Sequence, residues 1–438
     1  MQPHDKEVSE AVRLSRLRLI PFLLLMYVLA FLDRANIGFA KQAFQASVGI
    51  SDAAYAFGAG LFFVTYALLE IPSNLIMHRI GARVWISRIM VTWGLTSAAV
   101  MFAQGPISFY VLRAMLGAAE AGFFPGVILY LTYWFPNAYL GRIIGLFYFG
   151  VPLAFILGSP LSGFLIELRG LGLQGWQWMF LAEGLMASTV GVWAFFYLDD
   201  TPHKARWLPT AEKQALTALI AQENLEKISP RWTAVLANPR VLYCVFIYFF
   251  IQASVYGVIF YLPAQIAALM GVQIGREVGI VTTIPWICTM FATYFIPRIA
   301  DHTGKHRGVA AATLGVSAIG IAVSATNHPA LGMSALCVAA ATFMAVQPVF
   351  WTFPATYLGG AAAASGIALI NAFGNLGGFV APNIKNWAEV YFQSSHAGLY
   401  VLAGGALLGS LLISGLKHGA VSRKVAGTAA VQSSGEEF

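Results

Sequence analysis

Long apolar runs separated by short polar intervals dominate this chain. A hydrocarbon core about 30 Å thick requires roughly 20 consecutive apolar residues in a helix. Runs of that kind fall at 19–40, 54–77, 84–103, 107–135, 143–166 and 177–198, and again at 241–268, 278–299, 308–326, 330–353, 365–390 and 396–416. The pattern predicts an all-α integral membrane protein of twelve helices, six on each side of the longest polar interval, Asp199 to Arg240. The expected division is an N-terminal tail at 1–18, a six-helix bundle at 19–198, a linker at 199–240, a second bundle at 241–416 and a C-terminal tail at 417–438. Within the linker, Thr210 is placed to cap a short helix whose Leu216, Leu219 and Ile220 form one apolar stripe, lying on the membrane surface or against the bundle ends.

Composition agrees with this reading. Of 438 residues, 58% are hydrophobic and 10% charged, against about 25% charged in soluble domains, and no segment remains for a soluble domain. The first run follows a basic start but is too long for a signal sequence and ends at no small-residue cleavage site, so it is expected to stay as a helix. Cys244, Cys288 and Cys337 lie inside apolar runs without paired spacing and read as small core residues. Trp85, Trp134, Trp176 and Trp178 fall near span ends and read as interfacial anchors.

The net charge of +7 is a statement about topology. Of the 26 Lys and Arg, only Lys41, Arg169, Arg276 and Lys385 fall in the loops opposite the termini, and Arg34 and Arg113 lie within spans. Basic residues concentrate on cytoplasmic loops, so both termini are expected in the cytoplasm, with the lipid bilayer and not a nucleic acid as the large partner.

A weak internal repeat supports two related halves. His78-Arg79-Ile80-Gly81-Ala82-Arg83 follows the second span, and Asp301-His302-Thr303-Gly304-Lys305-His306-Arg307 follows the eighth. In each, Gly81 or Gly304 allows a tight turn at positive φ. Two such halves place a solute site at their interface near the midplane.

Ionisable residues at membrane depth supply the candidate chemistry. Asp33 and Arg34 lie in the first span, Glu70 in the second, and Arg113 and Glu120 in the fourth. Each costs about 2.5–3.5 kcal/mol on insertion scales and persists where it faces protein or a wet cavity. Adjacent residues on a helix project about 100° apart, so Asp33 and Arg34 need separate partners. Asp33 either pairs with a cation on another helix or carries a proton, while Arg34 offers a planar fork suited to a carboxylate. Arg113, Gly117 and Glu120 share one face of the fourth helix; Arg113 and Glu120 are too far apart along the axis to pair. Glu120 is either a second proton carrier or half of a permanent ion pair. Tyr66 and Glu70 share a face of the second helix, Glu70 nearer the termini side, where a gate pair is expected. Glu183 begins the sixth span and is expected to reach the interface. Gln252 with Tyr256, Gln347 and Asn375 are polar positions in apolar helices, suited either to reading hydroxyl groups or to joining helices. Gly374, Gly377, Gly378 and Pro382, with Pro348 and Pro354, mark close packing or kinks.

The six-plus-six pattern with its two basic turns resembles the major facilitator superfamily. Phe31-Leu32-Asp33-Arg34-Ala35-Asn36-Ile37-Gly38 and Arg113-x3-Gly117-x2-Glu120-Ala121-Gly122-Phe123-Phe124-Pro125-Gly126 resemble its anion:cation symporter family. The stretches GLFYFGVPLAFILGSPLSG, VYGVIFYLPAQIAALMG and AVQPVFWTFP are similar to bacterial rhamnonate transporters within it. The resemblance implies Arg34 for a substrate carboxylate, Asp33 for proton coupling, a substrate contact from Tyr66, and cavity-facing positions for Trp351 and Asn371. It also implies Arg113, Glu70 and Asp301 as gating or structural residues, with Gly81 and Gly304 at the turns.

Two departures from the family pattern bear on function. His78 stands where the first turn usually carries Asp, leaving the acidic latch at Asp301. Phe31 and Val151 occupy places that hold Tyr and Gln in some sugar-acid members, so two hydrogen-bonding groups are missing. The expectation is a proton-coupled importer of an organic anion, best a 6-deoxy sugar acid such as rhamnonate, in the bacterial inner membrane. A proton gradient would supply the energy, with no cofactor or metal, and one chain would suffice as a monomer. A drug exporter using the same acids is the rival carrier. An enzyme reading finds no HExxH helix, G-x-S-x-G elbow or Walker loop.

Overall fold

The computed structural model describes residues 3–225, 238–357 and 361–416. Among them, twelve helices are long and apolar enough to cross a membrane, and the one β-bridge joins Gly170 to Leu173. The first six are α1 (Pro3–Val48), α2 (Asp52–Ile80), α3 (Ala82–Phe102), α4 (Pro106–Trp134), α5 (Asn137–Leu165) and α6 (Gly175–Tyr197). The second six are α7 (Pro239–Ile259), α8 (Arg276–Thr303), α9 (His306–Val323), α10 (Pro329–Tyr357), α11 (Gly366–Tyr391) and α12 (Ala397–Gly415). Alternate helices run in opposite directions. The face where α1 begins is the termini side, and the face where it ends is the far side.

Several spans are broken where the sequence cannot continue a straight helix. In α4 the helix stops at Glu120 and resumes at Phe123, across Gly122 at φ 87°. In α5 it pauses at Phe149, and in α11 between Gly374 and Gly377. Broken spans present polar groups inside a membrane protein only where these line a cavity or meet other protein. Glycines also set how closely spans approach. A Cβ on Gly94 of α3 would lie 2.4 Å from the Gly184 carbonyl oxygen of α6, so these backbones touch.

The halves meet along α2 with α11 and along α5 with α8, mainly toward the far side. A Cβ on Gly60 would sit 2.9 Å from the Phe379 carbonyl oxygen, and one on Gly279 would sit 2.5 Å from the Ser159 carbonyl oxygen. At the far rim, Lys41 pairs with Asp52 at 2.8 Å and Lys385 with Glu389 at 2.5 Å. Both ammonium groups lie over the Tyr261 ring, at 5.1 and 3.9 Å.

The linker forms a helix at Thr210–Leu225 that starts at Thr210, which is therefore its first residue and not its cap. Leu216 is buried and Leu219 and Ile220 pack on the core, so this helix docks against the bundle. Trp207 stacks on Trp134 at 5.6 Å, and the Arg18 guanidinium lies over Tyr197 and Trp207 at 4.6 and 5.0 Å. The rest of the linker, 226–237, and the tail at 417–438 lie outside the described residues.

Several expectations need correcting. The described part of 1–18 is the start of α1, with Ala11 and Val12 buried, because apolar positions there pack on the bundle end. Trp134 and Trp176 are buried packing residues, not interfacial anchors. Gly81 and Gly304 do turn at positive φ, 106° and 64°. The first turn does not lack an acid: Asp200, three residues past the end of α6, accepts from the Arg83 backbone N–H at 3.0 Å. Asp301 is exposed and lies 3.4 Å from His306.

Candidate functional site

A pocket lies between the halves, lined by residues of both. Its first-half wall comes from α1, α2, α4 and α5, through Tyr27, Phe31, Arg34, Tyr66, Phe124, Tyr148, Val151 and Pro152. On α1, Tyr27, Phe31 and Arg34 follow at helical spacing, so one face of that helix enters the pocket. The second-half wall comes from α7, α8, α10 and α11, through Tyr248, Gln252, Tyr256, Thr293, Gln347, Asn371 and Asn375. Tyr248, Gln252 and Tyr256 stand at i, i+4 and i+8, a spacing that could have identified α7 as a wall from the sequence.

Arg34 is the charged centre of this pocket. Its Nε donates to Glu120 Oε1 at 3.0 Å, its Nη2 donates to the same oxygen, and its Nη1 donates to Tyr256 Oη at 2.8 Å. A guanidinium has five N–H donors, so two remain for a ligand. Phe31, Phe62 and Tyr66 surround it with rings centred 5.0, 5.4 and 5.4 Å from Cζ. Glu120 reaches this position as the last residue before the α4 break. Its second carboxylate oxygen is buried without a hydrogen-bond partner among the described residues.

Arg113 and Glu120 share a helix face without pairing. Arg113 Nη2 donates to the Ala59 carbonyl of α2 at 3.2 Å, and the guanidinium stands 5.2 Å from the Phe62 ring centre. Asp33 turns away from the pocket: its Oδ1 accepts from the Ser97 hydroxyl of α3, and from Asn36 Nδ2 at 3.4 Å. Glu70 Oε1 accepts from Asn371 Nδ2 at 2.7 Å, a direct bond between the halves. Asn371 therefore lines the pocket while its amide is engaged by a carboxyl group.

The neutral residues of the second half are partly tied to one another. Gln252 Nε2 donates to Asn375 Oδ1 at 2.6 Å, and Tyr248 Oη donates to Gln347 Oε1 at 3.5 Å. Trp351 is not among the residues that line the pocket, and its ring centre lies 4.8 Å from that of Tyr248, which does. Tyr66, Gln252 and Gln347 line the pocket, whereas Gly81, Gly304 and Asp301 lie at the turns, away from it.

Glu183 is the functional candidate whose place the sequence misjudged. It is 2% exposed inside the bundle, with Oε1 accepting from Ser162 Oγ at 2.8 Å and Oε2 accepting from Asn36 Nδ2 at 3.0 Å. The glycine contact between α3 and α6 draws this carboxyl into the helix cluster behind Asp33.

Comparisons with known proteins place this geometry in context. The Major Facilitator Superfamily family model matches residues 23–382. The chain is 51% identical over 422 residues to inner membrane transport protein RhmT of Escherichia coli (strain K12), covering 96% of this chain and 98% of that protein. It is 41% identical over 409 residues to a putative tartrate transporter of Agrobacterium vitis, covering 92% and 90%. Among solved structures, the inward open conformation of the xylose transporter XylE from E. coli matches with a TM-score of 0.74 at 14% identity, over 95% of this chain and 99% of that one. That likeness is one of fold.

Proposed function

Because the chain belongs to the Major Facilitator Superfamily and is a membrane transporter, not an enzyme, we propose that it imports a sugar-acid anion together with protons by alternating access. The observation that carries this reading is Arg34, a guanidinium facing the pocket with two free donors and a carboxylate, Glu120, already bound at its other edge. A substrate carboxylate and Glu120 compete for the same cation. When Glu120 takes a proton, Arg34 is released to the substrate, and the loaded pocket then carries less net charge. Closing around it costs less desolvation than closing around either partner alone, and that difference couples the two fluxes. Asp33 serves as the second proton carrier.

The apolar wall supports a particular substrate. Phe31, Phe124, Val151 and Pro152 give the first-half wall an apolar stretch beside Tyr27, Tyr66 and Tyr148, while Gln252, Gln347 and Asn375 bring amides to the second-half wall beside Val255, Met344 and Pro348. A chain with hydroxyls along its length and a methyl at its end suits that division, and L-rhamnonate is such an acid. The relatedness to a putative tartrate transporter supports organic anions more broadly. The Lys and Arg distribution supports a cytoplasmic termini side. With the far side closed where α2 meets α11 and α5 meets α8, the pocket would then be shut off from the periplasm.

Uptake into vesicles under an imposed proton gradient tests this reading. Rhamnonate should accumulate ahead of galactonate, gluconate and tartrate. Glu120→Gln and Asp33→Asn should lose gradient-driven accumulation while retaining substrate exchange. Accumulation unchanged in both variants would remove the coupling assignment, and preference for galactonate would remove the methyl-end argument.

A further inference from the structure

Behind the pocket, the first half buries more acid than it has cation to balance. Asp33, Glu70, Glu120 and Glu183 are all buried, against Arg34 and Arg113. Glu120 has Arg34, and Asp33 is near enough to Arg113 to feel its charge. Glu183 has no cationic partner among the described residues: α5 presents Ser162 to it, and α1 presents Asn36 and, beyond it, Asp33. On α3 the facing group is Ser97, which is bound to Asp33, while Arg88 of that helix stacks on Trp85 at 3.8 Å. A bare carboxylate at this depth is costly, and two linked to one amide repel each other.

We propose that Glu183 is a positioning acid for proton coupling, which with Asp33 forms a pair that holds a single negative charge through the Asn36 amide. Asn36 Nδ2 donates to both carboxyl groups, and its Oδ1 is buried without a partner, poised to accept from whichever acid is protonated. Neither Asp33 nor Glu183 lines the pocket. Ser162 lies within the last turn of α5 on the far side, so the chain of groups leads from Asp33 toward that face. Protons then reach Asp33 from behind the substrate, not through it. When one acid takes the proton, the other keeps the charge, and the Asp33 occupancy that drives transport depends on Glu183.

This inference rests on the proton-coupled reading, and the test separates the two. In vesicles, gradient-driven uptake is measured across external pH for the unaltered chain, Glu183→Gln and Ser162→Ala. Glu183→Gln removes the repelling charge, so Asp33 gains its proton only in stronger acid, and the uptake midpoint should fall by about one pH unit. Ser162→Ala keeps the acid but removes a donor to its ionised form, and should shift the midpoint the same way by less. Substrate exchange and its KM should stay within about twofold in both, since neither residue touches the pocket.

Absent gradient-driven uptake in the unaltered chain would remove the proton-coupled reading itself and this inference with it. Normal uptake there with unmoved midpoints in both variants would overturn the pairing alone. Equal loss of exchange and uptake in folded Glu183→Gln, with Ser162→Ala unshifted, would make Glu183 a packing residue and overturn it as well.

Discussion

On one side of the pocket, the first half places Arg34 and Glu120 in contact, with Asp33, Arg113 and Glu183 behind them. On the other, the second half offers Gln252, Gln347, Asn371, Asn375 and tyrosine hydroxyls, all neutral. Among the described residues its buried cation, Lys385, lies at the far rim and not in the pocket. Folds built from two related six-helix units need not share work evenly. Here charge sits in one bundle and neutral hydrogen bonding in the other, and Glu70 with Asn371 is where the two kinds of wall meet. The difference teaches that duplicated helices keep their packing glycines and turns while their polar faces diverge freely, because packing is set by backbone approach and chemistry by a few side chains.

The largest effect that would break this division is at Arg34. Arg34→Lys preserves the charge but loses the fork, and initial uptake should fall at least about a hundredfold, since two-point contact and the Glu120 pairing both go. A variant near normal activity would show that the anion is held elsewhere.

On the neutral side the effects should be smaller and of another kind. Gln252→Leu removes a hydrogen-bonding amide and frees Asn375, so KM should rise about tenfold, on the order of 1–2 kcal/mol, with little change in maximal rate. A collapse of the rate with KM unchanged would mean that Gln252 joins helices and does not read hydroxyls.

The turns sharpen the comparison of halves as scaffolds. Gly81 has φ 106° and ψ 149°, and a Cβ there would meet Asp200 Oδ1 at 2.7 Å; Gly304 has φ 64° with nothing within 4 Å. Gly81→Ala should lower stability by about 1–3 kcal/mol and Gly304→Ala by about 1 kcal/mol, read as thermal midpoints in detergent. Equal shifts would remove the special role of the Asp200 contact in the first half.

What the sequence could tell about this architecture follows from which constraints are local. Span lengths are imposed by the bilayer, so Gly175–Tyr197 and Ala397–Gly415 were legible as 177–198 and 396–416. Gly81 and Gly304 were legible because a tight turn at positive φ selects glycine. Arg34 and Glu120 stood out because charge in a membrane is rare. Their contact was not legible, because it joins residues 86 apart in sequence, and Glu70 with Asn371 joins residues 301 apart. Such pairs depend on how helices rotate and tilt against one another. Glu183 was misplaced for the same reason: its position along α6 suggested an end, while the Gly94–Gly184 contact draws it inward.

The contact of Gly163 with Gly279 carries a mechanical consequence. A Cβ on Gly163 would lie 2.9 Å from the Gly279 Cα, so main chain rests on main chain where α5 crosses α8. Beside this bare contact, Phe155 of α5 stacks on Trp286 of α8 at 3.8 Å, and the Glu167 carboxylate accepts from the Arg276 backbone N–H at 2.7 Å, so rocking must slide one ring pair and release one hydrogen bond. The two bundles can rock apart there and reseat in the same register, with the Lys41 ammonium over the Tyr261 ring acting as a catch at the rim and the backbone crossing as the bearing.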